Sequence, residues 1–114
     1  MNIKLTEKPR VFETKGTTIK DYGKIFLKKN EMISLVLKNG KEFDITAKDW
    51  GLYLGPSLNS RLKKQGFKAA LVVNEKGQLY LHAVLKEEIK KFKRYLTTNQ
   101  NNKIICWLDE WFNI

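Results

Sequence analysis

With 114 residues, a formal charge of +10, 42% hydrophobic residues and six Phe, four Tyr and three Trp, the chain is too apolar and aromatic to be disordered. It is also of a size to fold as a single domain, residues 1–114. Its longest apolar runs, such as Ala69–Val73, fall far short of the roughly 18 residues a membrane span needs, and no signal-peptide apolar region opens it, so a cytoplasmic protein is expected. A lone cysteine rules out an internal disulfide. With a single histidine there is no Cys/His set for a structural zinc, and neither a metal nor a cofactor is expected.

Residues 1–30 hold short apolar stretches, Ile3–Leu5, Val11–Phe12 and Ile25–Leu27, broken by Pro9, Gly16 and Gly23. They read as short strands with irregular connections, and the β-branched Thr17, Thr18 and Ile19 favour one near 17–20. Residues 31–46 read as a hairpin about Asn39-Gly40, a dipeptide suited to a two-residue type I′ turn, which would set Val36 opposite Phe43 and Ser34 opposite Ile45. Ala47–Gly55 is a turn-rich connector. Pro56 then opens a helix over about 57–65 that Gly66 ends, with Leu58 and Leu62 facing inward.

Phe67–Leu85 is the clearest hairpin. Glu75-Lys76-Gly77 forms its loop, because Gly77 takes a positive φ without a Cβ clash, and this sets Val73 opposite Leu79, Leu71 opposite Leu81 and Ala69 opposite Ala83. Those six apolar side chains form one face; Val72 with Tyr80, Ala70 with His82 and Lys68 with Val84 form the other. A second helix over about 86–96 presents the stripe Leu85, Ile89, Phe92 and Leu96. Thr97–Lys103 reads as a loop and 104–108 as a last strand, one that would make a right-handed crossover if parallel to 78–85. The fold class is α+β: a single mainly antiparallel sheet or partly closed barrel packed by two helices.

The positive charge would attract nucleic acid, anionic lipid or an acidic protein. Residues 56–103 carry 11 basic and 3 acidic groups and are its centre. Yet only Arg10, Arg61 and Arg94 are arginine, the residue suited to bidentate recognition of phosphates and guanine. Lys63, Lys64, Lys90, Lys91 and Arg94 form the candidate basic surface, with no RNA- or DNA-binding motif beside it.

A ligand site is better indicated where Trp50, Tyr53, Asn59 and Arg61 gather two aromatics, an amide and a guanidinium about a loop–helix junction. Aromatic faces stack on apolar ligand faces, and an arginine near a helix start favours a phosphate or carboxylate. The competing reading puts Trp50 and Tyr53 in the core. His82 and Cys106 would be a base and nucleophile if their strands were neighbours, but Cys106 within Ile-Ile-Cys-Trp-Leu reads as a buried apolar residue. Asp109-Glu110, on a strand, would point to opposite faces and serve as an acidic patch for a partner rather than an acid/base pair. No catalytic residue is assigned. The functional expectation is a non-enzymatic binding or accessory domain for a sugar-like or anionic ligand or an acidic protein. Charge-driven nucleic-acid binding by the basic helices is the alternative, and a small enzyme acting on a sugar or anionic metabolite is a third.

Overall fold

Lys15 and Gly16 have φ of 46° and 81°, the left-handed pair that a type I′ turn requires. In the computed structural model, which describes residues 1–98 and 101–111, this turn joins β1 (Asn2–Thr14) to β2 (Thr17–Phe26) in one long antiparallel ribbon. The short, irregularly connected strands expected here are therefore replaced by a continuous hairpin. Its one irregularity is a bulge: Thr6–Pro9 of β1 are extra residues between the Leu5–Gly23 and Arg10–Asp21 pairs. Pro9, which cannot donate to a ladder, sits within that bulge. Gly23 closes it, with φ 127° and no room for a Cβ, which would lie 2.1 Å from the Lys4 carbonyl oxygen.

β3 (Met32–Val36), β4 (Glu42–Lys48) and β5 (Gly51–Leu54) form a second antiparallel sheet in that order. The β3–β4 hairpin exists, but its turn differs from the two-residue type expected. The Leu37 amide donates to the Lys41 carbonyl and the Gly40 amide to the Leu37 carbonyl, so the loop is Lys38-Asn39-Gly40. Only Gly40 of the three has positive φ, at 86°, whereas a type I′ turn needs it at both central residues. Leu37 therefore faces Lys41, one residue out of the register that would pair Val36 with Phe43. The expected connector 47–55 also contains a strand, since β5 pairs with β4 from Lys48–Gly51 to Ile45–Leu54.

The described residues divide into two compact units, Met1–Leu35 with Asp44–Leu54 and Val36–Phe43 with Gly55–Ile114. The first helix of the second unit is α1 (Arg61–Lys64), one turn where a helix over 57–65 was expected. Ser57 starts the bend instead: its Oγ accepts from the Arg61 amide at 2.8 Å and its carbonyl from the Leu62 amide at 2.9 Å. Next come β6 (Phe67–Val73) and β7 (Leu79–Leu85), in the expected register from Val73–Leu79 to Phe67–Leu85. Asn74 and Gln78 close the loop and Gly77 has φ 77°. A 3-10 turn, Lys86–Glu88, leads into α2 (Ile89–Thr98), which reaches two residues beyond the expected 96. Residues 99 and 100 of the expected 97–103 loop lie outside the described residues. β8 (Lys103–Trp107) pairs antiparallel with β6, giving the order β7-β6-β8, and α3 (Leu108–Trp111) follows as a single turn.

The described strands thus form three antiparallel sheets and no closed barrel, in place of a single sheet. The two hairpins share no strand: β4 is flanked by β3 and β5, and β6 by β7 and β8. The wholly apolar face of the 67–85 hairpin is not the one that carries the larger core cluster. Ala70, Val72 and Val84, from the mixed face, pack with Leu96, Ile89 and Phe92 of α2 and with Ile104 and Trp107 of β8. Leu79 and Leu81, from the wholly apolar face, are 60% and 51% exposed. On that side Ala69 is buried in a smaller cluster with Leu62 and Phe67, lined by Phe43, Leu58, Leu85 and Leu108. Coverage by the amphipathic helix, more than the count of apolar residues, decides which face of this sheet is core. None of the described helices is long and apolar enough to cross a membrane.

Candidate functional site

Arg61, the first residue of α1, is held by the Ser57 hydroxyl on its amide. It lines a shallow cleft with Lys64 and Gln65 on one side and the turn residues Asn39, Gly40 and Lys41 on the other. Lys41 reaches this position by crossing Gly66, where a Cβ would lie 2.2 Å from the lysine Nζ. Its ammonium is also 3.9 Å from Glu87 Oε1. The cleft therefore gathers three cationic side chains from two separate stretches of chain, with the Asn39 and Gln65 amides beside them. Such a set can neutralise a phosphate, sulfate or carboxylate, and the arginine can hold it bidentately.

The other predicted site residues fall elsewhere. Trp50 is in the two-residue turn between β4 and β5 and Tyr53 is on β5 opposite Thr46. They are 68% and 53% exposed, so neither fills core. They belong to the first unit, whereas Asn59 and Arg61 belong to the second; Asn59 is exposed and outside the cleft lining. Of the basic surface, Lys63 and Lys64 are exposed on α1, and Lys90, Lys91 and Arg94 on α2. Lys91 is paired with Glu88 at 3.3 Å.

The expected acidic patch is corrected more sharply. Asp109 begins no strand; it lies in α3, its side chain almost wholly enclosed. It accepts from the Ala69 amide at 2.9 Å and from Lys68 Nζ at 3.2 Å. Lys68 also contacts the Glu110 carboxylate and lies 5.1 Å from the Trp107 ring centroid. Burial alone would lower the Lys68 ammonium, but the hydrogen bonds and charges of Glu110 and Asp109 outweigh it and hold the group above the ordinary lysine range. This cluster fastens α3 to β6 and has no partner-binding carboxylate to spare at Asp109.

His82 and Cys106 do not meet. His82 is opposite Ala70 on β7 and Cys106 opposite Leu71 on β8, so β6 separates them and they occupy opposite faces. Burial lowers the His82 imidazole below its ordinary range, its ring lies 5.2 Å from that of Phe92, and its Nδ1 is buried without a hydrogen-bond partner among the described residues. Among the described residues no group of three His, Cys, Asp or Glu could hold a metal.

Sequence reasoning missed Lys41, which the fold brings to the cleft from a separate stretch of chain. It also missed a period-2 alternation of lysine and aromatic residues on β2, Lys20, Tyr22, Lys24 and Phe26, because the stretches near 17–20 and at Ile25–Leu27 read as separate strands broken at Gly23. No protein-family model, curated protein or solved structure matches this chain.

Proposed function

We propose that the protein is a small non-enzymatic binding protein for an anionic ligand, held in the cleft of Arg61, Lys64 and Lys41. The observation that supports this reading is the convergence of those three cations, from the 38–40 turn and from α1, on one concave surface. The rigid β6–β7–β8 sheet behind α1 would hold the guanidinium in place, and the amides of Asn39 and Gln65 would select among anions by their hydroxyl or carbonyl substituents. Trp50 and Tyr53, exposed on the first unit, are not among the residues that line this cleft.

A melting-temperature screen against phosphorylated sugars, nucleoside phosphates and dicarboxylates tests the reading, since a ligand that binds only the folded state raises its stability. Arg61→Ala and Lys64→Ala should each abolish the rise given by any hit, and Lys64→Ala, at an exposed position, should leave the unliganded melting temperature nearly unchanged. A hit that acts equally on both variants would show that the cleft is not the site. Asn59→Ala tests the one other sequence candidate on this unit: affinity lost without loss of stability marks a ligand contact.

A further inference from the structure

We propose that one face of the β1–β2 ribbon binds single-stranded nucleic acid, with Lys4, Lys20 and Lys24 meeting phosphates and Tyr22 and Phe26 presenting rings on which bases stack. This surface belongs to the first unit and is independent of the Arg61 cleft. Alternation along β2 puts Lys20, Tyr22, Lys24 and Phe26 on one side of the ribbon. The register adds Lys4 directly opposite Lys24, and the position of Lys4 Nζ, 5.5 Å from the Phe26 ring centroid, puts both groups on that side.

Two like charges directly opposed across a strand pair destabilise it. No ion pair joins Lys4, Lys20 or Lys24 to a carboxylate among the described residues. On the paired rungs of this side the one acid is Glu13, near the turn and opposite Thr18. The reverse side is built differently, with Arg10 bound to Asp21 at 3.0 Å and Phe12 paired with Ile19. The lysine side thus holds an uncompensated line of positive charge that a polyanion would neutralise.

Its aromatics decide which polyanion. Tyr22 and Phe26 are each 47% exposed, and each stands between or beside lysines rather than within a continuous apolar patch, which a membrane surface would need in order to be penetrated. Cation and ring alternating over roughly 20 Å, from Lys20 to Phe26 at about 3.3 Å per residue, match a strand whose phosphates and unstacked bases alternate. A duplex hides its base faces and gains nothing from the rings. With no arginine on this side there is no bidentate reading of base edges, so binding tolerates many sequences. Beside Phe26, a depression lined by Met1, Asn2, Leu27 and Lys28 gives a base room to lie against the ring.

The full chain titrated into fluorescein-labelled oligothymidylate and oligouridylate, with anisotropy read over a series of salt concentrations, tests this. Binding to at least one is expected, with the logarithm of affinity falling linearly with the logarithm of salt. Substituting Lys4, Lys20 and Lys24 together by Gln should flatten that slope by about two, at about 0.7 per phosphate contact. Tyr22→Leu and Phe26→Leu should each lower affinity about tenfold with the slope kept. Should the triple variant lose its fold by circular dichroism, Lys24→Gln and Phe26→Leu singly answer the same question. Unchanged binding in these variants would overturn the proposal. So would equal affinity for a duplex, or lysine-dependent binding to phosphatidylserine vesicles without binding to either oligonucleotide. Loss of oligonucleotide binding in Arg61→Ala and Lys64→Ala alone would assign the anion site to the cleft and remove it from the ribbon.

Discussion

Two hairpins of this chain show how differently pairing and burial contribute. β1–β2 is the longer, yet Ile3, Leu5, Val11, Phe12, Ile19 and Ile25 are all exposed on it. β6–β7 is shorter, but Ala70 and Val72 are fully buried because α2 lies over one face and β8 extends the sheet. A two-stranded ribbon is at best marginal in water, and a third strand with a covering helix makes a stable unit. The ribbon is accordingly free to present side chains to a partner, whereas the sheet is the scaffold. The charged groups follow the same division: the ribbon's ion pair, Arg10–Asp21, is exposed, while the sheet's, Lys68–Asp109, is enclosed.

Breaking those two ion pairs gives the largest contrast. Asp109→Ala leaves Lys68 and the Ala69 amide without their buried acceptor, and should cost about 3–5 kcal/mol in a denaturant titration. Asp21→Ala should cost about 1 kcal/mol or less, because exposed pairs contribute little. Similar costs for the two would remove the distinction between scaffold and ribbon.

Core truncation sharpens the contrast within one sheet. Leu96→Ala, on α2 against Val72, should destabilise by about 2–5 kcal/mol. Leu81→Ala, half exposed on the uncovered face, should cost less than about 1 kcal/mol. A Leu81 effect as large as that of Leu96 would mean that the apolar face is covered in solution.

The glycines compare the turns. Gly77→Val places a β-branched residue at φ 77° with open space around it, so only backbone strain opposes it, about 1–2 kcal/mol. Gly23→Ala meets the Lys4 carbonyl and should open the ribbon locally. Hydrogen exchange should then quicken in β1 and β2 while β6 stays protected. Loss of protection in β6 as well would show that the ribbon unfolds with the scaffold.

The register of 67–85 was legible because one glycine at one loop position admits one pairing, and the six apolar partners confirmed it. Its buried face was not legible, since a face is core only where something covers it, and α2 covers the side holding Lys68 and His82. At 31–46 the Asn-Gly signal located the turn, but Leu37 and Lys41 pair with a three-residue loop that the same dipeptide also allows. The ribbon escaped notice because Lys15-Gly16 is a weaker turn signal than Asn-Gly and its bulge, Thr6–Pro9, interrupts the alternation that would have marked one strand. Arg61 was legible as an anion-binding candidate from its type and helix position. Its cleft partner Lys41, twenty residues earlier in the chain, is brought near by tertiary structure and has no local signature.

The smallest expected effect concerns His82, which lies on the covered face of the scaffold and has no counterpart in the ribbon. Burial beside Phe92 disfavours its charged form and lowers its pKa, against a weaker opposing effect of the Tyr80 backbone. Glu88, at the end of the 3-10 turn, and Lys91 of α2 line the same groove, one acid and one base, paired with each other. The unfolded chain takes up a proton on this imidazole near its ordinary value of about 6.5, while the folded chain resists until lower pH. Between those values the unfolded state binds more protons, so the stability contributed by neutral His82 is present above about pH 6.5 and is lost as pH falls through the folded value. Glu31, held below its ordinary range chiefly by the Lys28 amide, loses its contribution only at more acid pH. Denaturation midpoints between about pH 7 and pH 5 should therefore fall for the natural protein and stay flatter for His82→Gln. Parallel profiles would mean that the imidazole is solvated in the folded state, and that α2 does not close over this end of the sheet.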